Sequence, residues 1–141
     1  MEDEGNDFLR KVEEVAEQDG RYGREAYLFI YAALDYVVKS LKRDRSQLPG
    51  GRHVTGQELS RGIADYARLQ YGPLTGSVLE YWGIRGTIDF GHLVFNLVDA
   101  GLMSKTEDDC LEDFEDVYQF DQTFDPQQIP RGPEGFDLSR L

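Results

Sequence analysis

The sequence predicts a mainly α domain with a small β element, about five helices followed by a short β-hairpin, on three observations. Apolar residues recur at three- and four-residue spacing over separate stretches between Phe8 and Val98. Those stretches are bracketed by capping residues and by glycines or prolines suited to helix ends. Beyond the last of them lie two short runs, Leu102-Met103-Ser104 and Val117-Tyr118-Gln119-Phe120, which can pair as strands around an acidic tip.

The first helix rests on Phe8, Val12 and Val15 with Leu9 and Ala16, and Gly20 ends it. The second runs from Arg24 to about Lys42. Its stripe of Tyr27, Ile30, Tyr31, Leu34, Val37, Val38 and Leu41 has no Gly or Pro to interrupt it, which marks it as the central core helix. Pro49-Gly50-Gly51 then reads as a loop. Thr55 and Glu58 form a capping box for the third helix, each side chain reaching the other's backbone N–H, with Val54 stapled on Leu59. Leu59, Ile63, Tyr66 and Ala67 supply its buried face until Gly72-Pro73, where Pro73 can open a fourth helix. That short helix turns Leu74, Val78, Leu79 and Trp82 to one side and stops at Gly83. Thr87 is expected to cap the fifth, which carries Phe90, Leu93, Val94, Leu97 and Val98. Gly101 suits the left-handed position of a Schellman turn that folds Leu102 onto Leu97. For the segment after Met103 a helical reading stays open beside the hairpin, since Leu111, Phe114 and Tyr118 fall at i, i+3 and i+7. Three helices followed by a two-stranded wing is the winged-helix order, and the body resembles that fold in its element order alone.

A chain of 141 residues suits one core, burying roughly two thirds of its unfolded surface. With 40% hydrophobic and 12% aromatic residues it holds too much apolar material for a disordered chain, although 30% is charged. Composition divides it into an acidic, disordered N-terminus (1–7), a single domain (8–124) and an extended tail with Pro and Gly (125–141), onto which Phe136 and Leu138 can dock. The net charge of -12 is unevenly placed: residues 1–20 carry -6, residues 21–105 carry +3, and residues 106–125 hold nine acids and no base. Phe114, Tyr118, Phe120 and Phe124 are interleaved with those acids.

This pattern excludes several chemistries. An acidic chain is poorly suited to phosphate backbones and anionic membranes, and no apolar run approaches the roughly 20 residues that span a bilayer. Cys110 is the only cysteine and the start Met1-Glu2-Asp3-Glu4 lacks the pattern of a signal peptide, so a cytoplasmic setting is expected. No metal or cofactor is expected: His53, His92 and Cys110 are scattered, the acids lack the turn glycine of a calcium loop, and no phosphate-binding fingerprint is present. Asp108, Asp109 and Glu112 around Cys110 oppose its thiolate. His92 lies three and four residues from Asp89 and Asn96 on one helix face, which makes it the single candidate general base, without a nucleophile to serve.

Several phrases resemble a Minf-type family of small bacterial proteins. They include Arg24-Glu25-Ala26-Tyr27, Arg52-His53-Val54-Thr55-Gly56-Gln57-Glu58-Leu59, Asp89-Phe90-Gly91, Gly101-Leu102-Met103-Ser104-Lys105-Thr106 and Asp113-Phe114-Glu115-Asp116-Val117-Tyr118. The resemblance spans about residues 8 to 124 and implies no activity and no site residue.

The function expected from these residues is that of a non-enzymatic adaptor or regulator. Its contact surface lies in residues 106–124 and includes Asp113, Phe114, Glu115, Asp116, Tyr118, Phe120 and Phe124, and its partner is a protein with a basic surface. The partner's identity and the oligomeric state stay open. The alternative is a nucleic-acid-associated regulator whose acidic arm masks or mimics a phosphate backbone. Direct contact is not expected there, because Asp89, His92, Asn96 and Asp99 would be the reading positions and none is cationic. Lys39, Lys42, Arg43, Arg45, Arg52 and His53 form a basic patch that can touch phosphates, or the chain's own arm. A small enzyme using His92 is the third reading.

Overall fold

A computed structural model describes residues 3–45 and 54–128. The elements in chain order are α1 (Asp3–Gln18), α2 (Arg24–Arg45), α3 (Gly56–Tyr71), a 3-10 turn (Gly72–Leu74), α4 (Thr75–Tyr81), α5 (Thr87–Asp99), a second 3-10 turn (Leu111–Phe114) and the one-turn α6 (Phe120–Thr123). No strand occurs among the described residues, so the expected β-hairpin and the winged-helix likeness built on it are both overturned. Arg52, His53 and the expected tail residues Phe136 and Leu138 lie outside the described residues.

α2 is the hub, with α1, α3 and α5 packed around it. Its inward face is Ala26, Tyr27, Phe29, Ile30, Ala33 and Val37, rotated from the stripe that spacing alone selects; Tyr31 and Val38 are 42% and 37% exposed and line a groove with Leu102 and Met103. The rotation follows from close helix approach. A side chain at Gly62 of α3 would place its Cβ 2.3 Å from Val37 Cγ2, so α3 can lie where it does only because position 62 is bare. Phe29, Tyr36, Tyr66, Tyr71 and Trp82 continue this seam as an aromatic cluster, with ring centroids 5.3 to 6.1 Å apart between neighbours.

Helix ends follow the predicted chemistry in most places. The Thr55–Glu58 box is formed, both bonds at 3.1 Å. Gly83 and Gly101, at φ 84° and 78°, close α4 and α5 as Schellman turns, with Ile84 N–H donating to Leu79 O and Leu102 N–H to Leu97 O, each at 2.9 Å. Three expectations change. α1 already begins at Asp3, which places residues 3–7 in a helix rather than in a disordered leader. α4 follows a 3-10 turn and buries Thr75 and Leu79, leaving Leu74 65% exposed. The cap of α5 is Gly86, not Thr87: the carboxylate of Asp89 accepts from Arg85 N–H at 2.8 Å and from Gly86 N–H at 3.2 Å, which frees the Thr87 hydroxyl for other work.

A polar network locks the α1–α2 junction onto α5. Arg21 grips Asp19 with two nitrogens, Nε to Oδ1 at 2.9 Å and Nη2 to Oδ2 at 2.6 Å. The Asn96 amide donates to Asp19 Oδ2 at 2.8 Å and to Tyr27 Oη at 3.0 Å, and the Tyr22 hydroxyl donates to Asp89. These partners hold the Asp19 carboxyl well below the usual carboxylate range, Arg21 foremost, while burial and then the Asp89 bond push the Tyr22 phenol up.

The Gly62 contact makes a direct test of the hub. Gly62→Ala should destabilise the fold by about 1–3 kcal/mol through overpacking against Val37, whose branched side chain has little freedom to move aside. In a double-mutant cycle with Val37→Ala, measured by urea unfolding, the two losses should fall short of additive because the smaller partner makes room; strict additivity would show that the helices do not meet there.

Candidate functional site

The acidic arm, residues 106–125, is docked on the helical body by its rings. Phe114 is 4% and Phe124 2% exposed. The seat for Phe114 is made of two missing side chains. A Cβ on Gly91 of α5 would lie 2.9 Å from the Phe114 ring and 2.8 Å from Leu111 Cδ1, and one on Gly56 would lie 3.1 Å from the ring and 2.6 Å from Asp113 Cβ. The hydroxyl of Thr87 then pins the backbone on either side, donating to Phe114 O at 2.6 Å and accepting from Val117 N–H at 3.1 Å. Asp116, at φ 46°, turns the chain between those two bonds in a conformation that aspartate tolerates better than most residues.

Farther along, Tyr118 donates to Ser60 O at 2.7 Å. The rings of Tyr118, Phe120 and Phe124 pack on one another with centroids 5.0 to 5.9 Å apart, and Phe120 lies 5.7 Å from Phe90 of α5. Arg68 of α3, held by Asp65 at 2.8 Å, donates to Thr123 O at the end of α6. Two backbone groups that the expected hairpin would pair across a ladder are thus met elsewhere, Val117 N–H by the Thr87 hydroxyl and Leu102 N–H by Leu97 O at the end of α5.

The anchoring sorts the predicted site residues into two sets. Phe114 and Phe124 belong to the core, and Tyr118 is largely sequestered, so these three are not available to a partner. Glu115 and Asp116 are exposed, and Phe120 is half-buried. Asp113 is half-buried and turned to its own 3-10 turn, where it accepts from Cys110 N–H at 3.3 Å. Among the described residues, no cation pairs with Glu107, Asp108, Glu112, Glu115, Asp116 or Asp121. Two neighbouring clefts open along this surface and share Arg85, Gln119 and Phe120. One, of about 590 Å³, lies between α4 and α6 and includes Glu80, Asp121 and Asp125; the other, of about 370 Å³, includes Thr87, Glu115 and Asp116. Glu80 and Arg85 were not singled out by sequence reasoning, and nothing local in the chain marks them.

The remaining candidates are scattered. Lys39 pairs with Asp35 one helical turn away at 2.9 Å, and the side chains of Lys42, Arg43 and Arg45 lie outside the described residues. His92 is half-buried on α5, but its expected neighbours are engaged elsewhere, Asp89 with Tyr22 and Asn96 with Asp19 and Tyr27. The two clefts described above do not include it. Desolvation, and then the charges of Asp113 and Glu112, push the exposed Cys110 thiol up, away from the thiolate a nucleophile needs. No group of His, Cys, Asp and Glu fit to hold a metal occurs among the described residues, and no described helix is long and apolar enough to cross a membrane. No family model matches the chain, and no curated protein or solved structure matches it either.

Gly91→Ala should lift the arm from its seat, because the new methyl group occupies space held by Phe114 and Leu111. Limited proteolysis should then cut within residues 106–125 before the helical body, whereas a wild-type cleavage pattern would refute the seat. A second prediction concerns alkaline stability. Burial, with a smaller contribution from Asp65, pushes the Tyr118 phenol well above its ordinary value of about 10. The unfolded chain begins to release that proton near pH 10 while the folded chain keeps it, so stability is intact below that pH and falls as pH rises above it. Tyr118→Phe should lose about 1 kcal/mol at neutral pH with the hydrogen bond and flatten part of the alkaline fall in denaturation midpoints. The rest of the fall belongs to Tyr22, Tyr27 and Tyr71, which burial also pushes up.

Proposed function

We propose that this domain acts without catalysis, as an adaptor or regulator that grips a basic surface on a protein partner through the outer face of its acidic arm. One observation carries the reading: Phe114, Tyr118 and Phe124 are spent on the protein's own core, while the exposed carboxylates Glu112, Glu115, Asp116 and Asp121 form no ion pair with a described cation. Charge of one sign held on a fixed scaffold steers a cationic partner and rejects acidic ones. Because the arm is already ordered, binding does not have to order it, which removes one of the larger entropic terms of association. The contact face proposed here is therefore narrower than residues 106–124 taken whole. It keeps Glu115, Asp116 and Phe120 and leaves Phe114, Tyr118 and Phe124 as its internal support.

Alanine at Phe114, Tyr118 or Phe124 would test stability rather than recognition, since removing buried rings costs about 3–5 kcal/mol. The informative variant is the full chain with E112Q, E115Q, D116N and D121N together. In affinity capture from the producing cells, wild type should retain a partner that this variant loses and that high salt releases, with the thermal unfolding midpoint unchanged. Equal capture by both forms would refute the reading.

A further inference from the structure

Resting on that reading, we propose that the cleft between α4 and α6 receives a basic amphipathic peptide segment of the partner, with one Lys or Arg side chain placed between Glu80 and Asp121 and its apolar residues on α4. The cleft is a shaped space of about 590 Å³ rather than a loose group of acids. Its walls are Pro73, Gly76 and Ile84 on one side and the Phe120 and Phe124 region on the other. Gly76 is bare, with the Phe124 backbone 3.6 Å from where its Cβ would be, so a substituent there would narrow the cleft.

Three features select the occupant. The rim carries Glu80, Asp121 and Asp125 against Arg85 alone, and none of the four forms an ion pair with a described residue. Phe120 is half-buried and faces both clefts, an aromatic surface suited to the stem and head of a long cationic side chain. Next in the chain to Pro73 and Glu80, which line the cleft, Leu74 and Tyr81 stand 65% and 88% exposed, seven residues apart and so on one side of the helical segment they bracket. An apolar strip flanked by a carboxylate-lined cleft complements a segment in which cationic and apolar residues alternate, and it repels phosphate-rich ligands.

The test uses the full chain and a fluorescein-labelled peptide of alternating Arg and Leu, with a Glu–Leu peptide as control, read by anisotropy at low salt. The Arg–Leu probe should bind and the control should not. E80Q/D121N should weaken binding by about fivefold or more, Leu74→Ala/Tyr81→Ala should also weaken it, and Arg85→Ala should tighten it. All these side chains are exposed except for part of Asp125, which is left intact, so thermal midpoints should not move. If E115Q/D116N weakens the probe while E80Q/D121N binds like wild type, the α4 cleft is refuted and the acidic-arm reading stands. If the probe fails to bind wild type at all, the inference is overturned, and the arm reading is judged by the capture experiment, which does not use this peptide.

Discussion

The docking of Phe114 is the contact on which the rest of the site depends. A benzyl ring fits against α3 and α5 because Gly56 and Gly91 offer no side chains there, and one hydroxyl, Thr87, meets the backbone before and after the turn. A glycine inside a helix is unfavourable by roughly 1 kcal/mol relative to alanine, so Gly91 is locally the wrong residue for α5. Its placement makes sense only with the arm in position. Burial of that ring and of Phe124 offsets the helical penalty and ties a strongly acidic segment to a mildly basic body.

The same logic recurs farther along α3. Gly62 lets α3 settle against Val37, which rotates α2 so that Ala26 and Ala33 face inward and Tyr31 and Val38 are left partly outside. In both places a bare backbone position sets the distance between elements, and the larger residues take up whatever orientation that distance leaves. The polar network of Asp19, Arg21, Asn96 and Tyr27, with the Tyr22–Asp89 bond, adds direction: it aligns the α1–α2 junction with α5 through charged and neutral hydrogen bonds that each have a specific partner. His92 sits among these residues without being part of the arrangement.

Separation of ring and charge is what gives the arm its proposed role. A disordered acidic tail would lose conformational entropy on binding, and an arm buried throughout would have no surface to offer. Here alternate positions serve opposite ends. Phe114, Tyr118 and Phe124 point into the body, and Glu115, Asp116 and Asp121 point away from it. The clefts beside Phe120 arise as a geometric by-product of laying this short segment across α4 and the start of α5.

Local chemistry was legible in the chain. The capping box at Thr55, the helix stop at Gly83, the Schellman turn at Gly101, the bounds of α2 and α5 to within a few residues and the concentration of acids with aromatics all follow from interactions between residues near in sequence. What the chain beyond Gly101 does was decided elsewhere. Val117 to Phe120 has the composition of a strand, but its hydrogen bonds and ring contacts are taken by Thr87, Ser60 and Phe90, residues 30 to 58 positions away. Whether Phe114 serves as a hook for a partner or as an anchor for its own arm likewise turns on two glycines in other helices. A pattern of apolar residues states how much surface must be hidden; only the tertiary structure states against what, because that depends on which distant backbones can come close enough to touch.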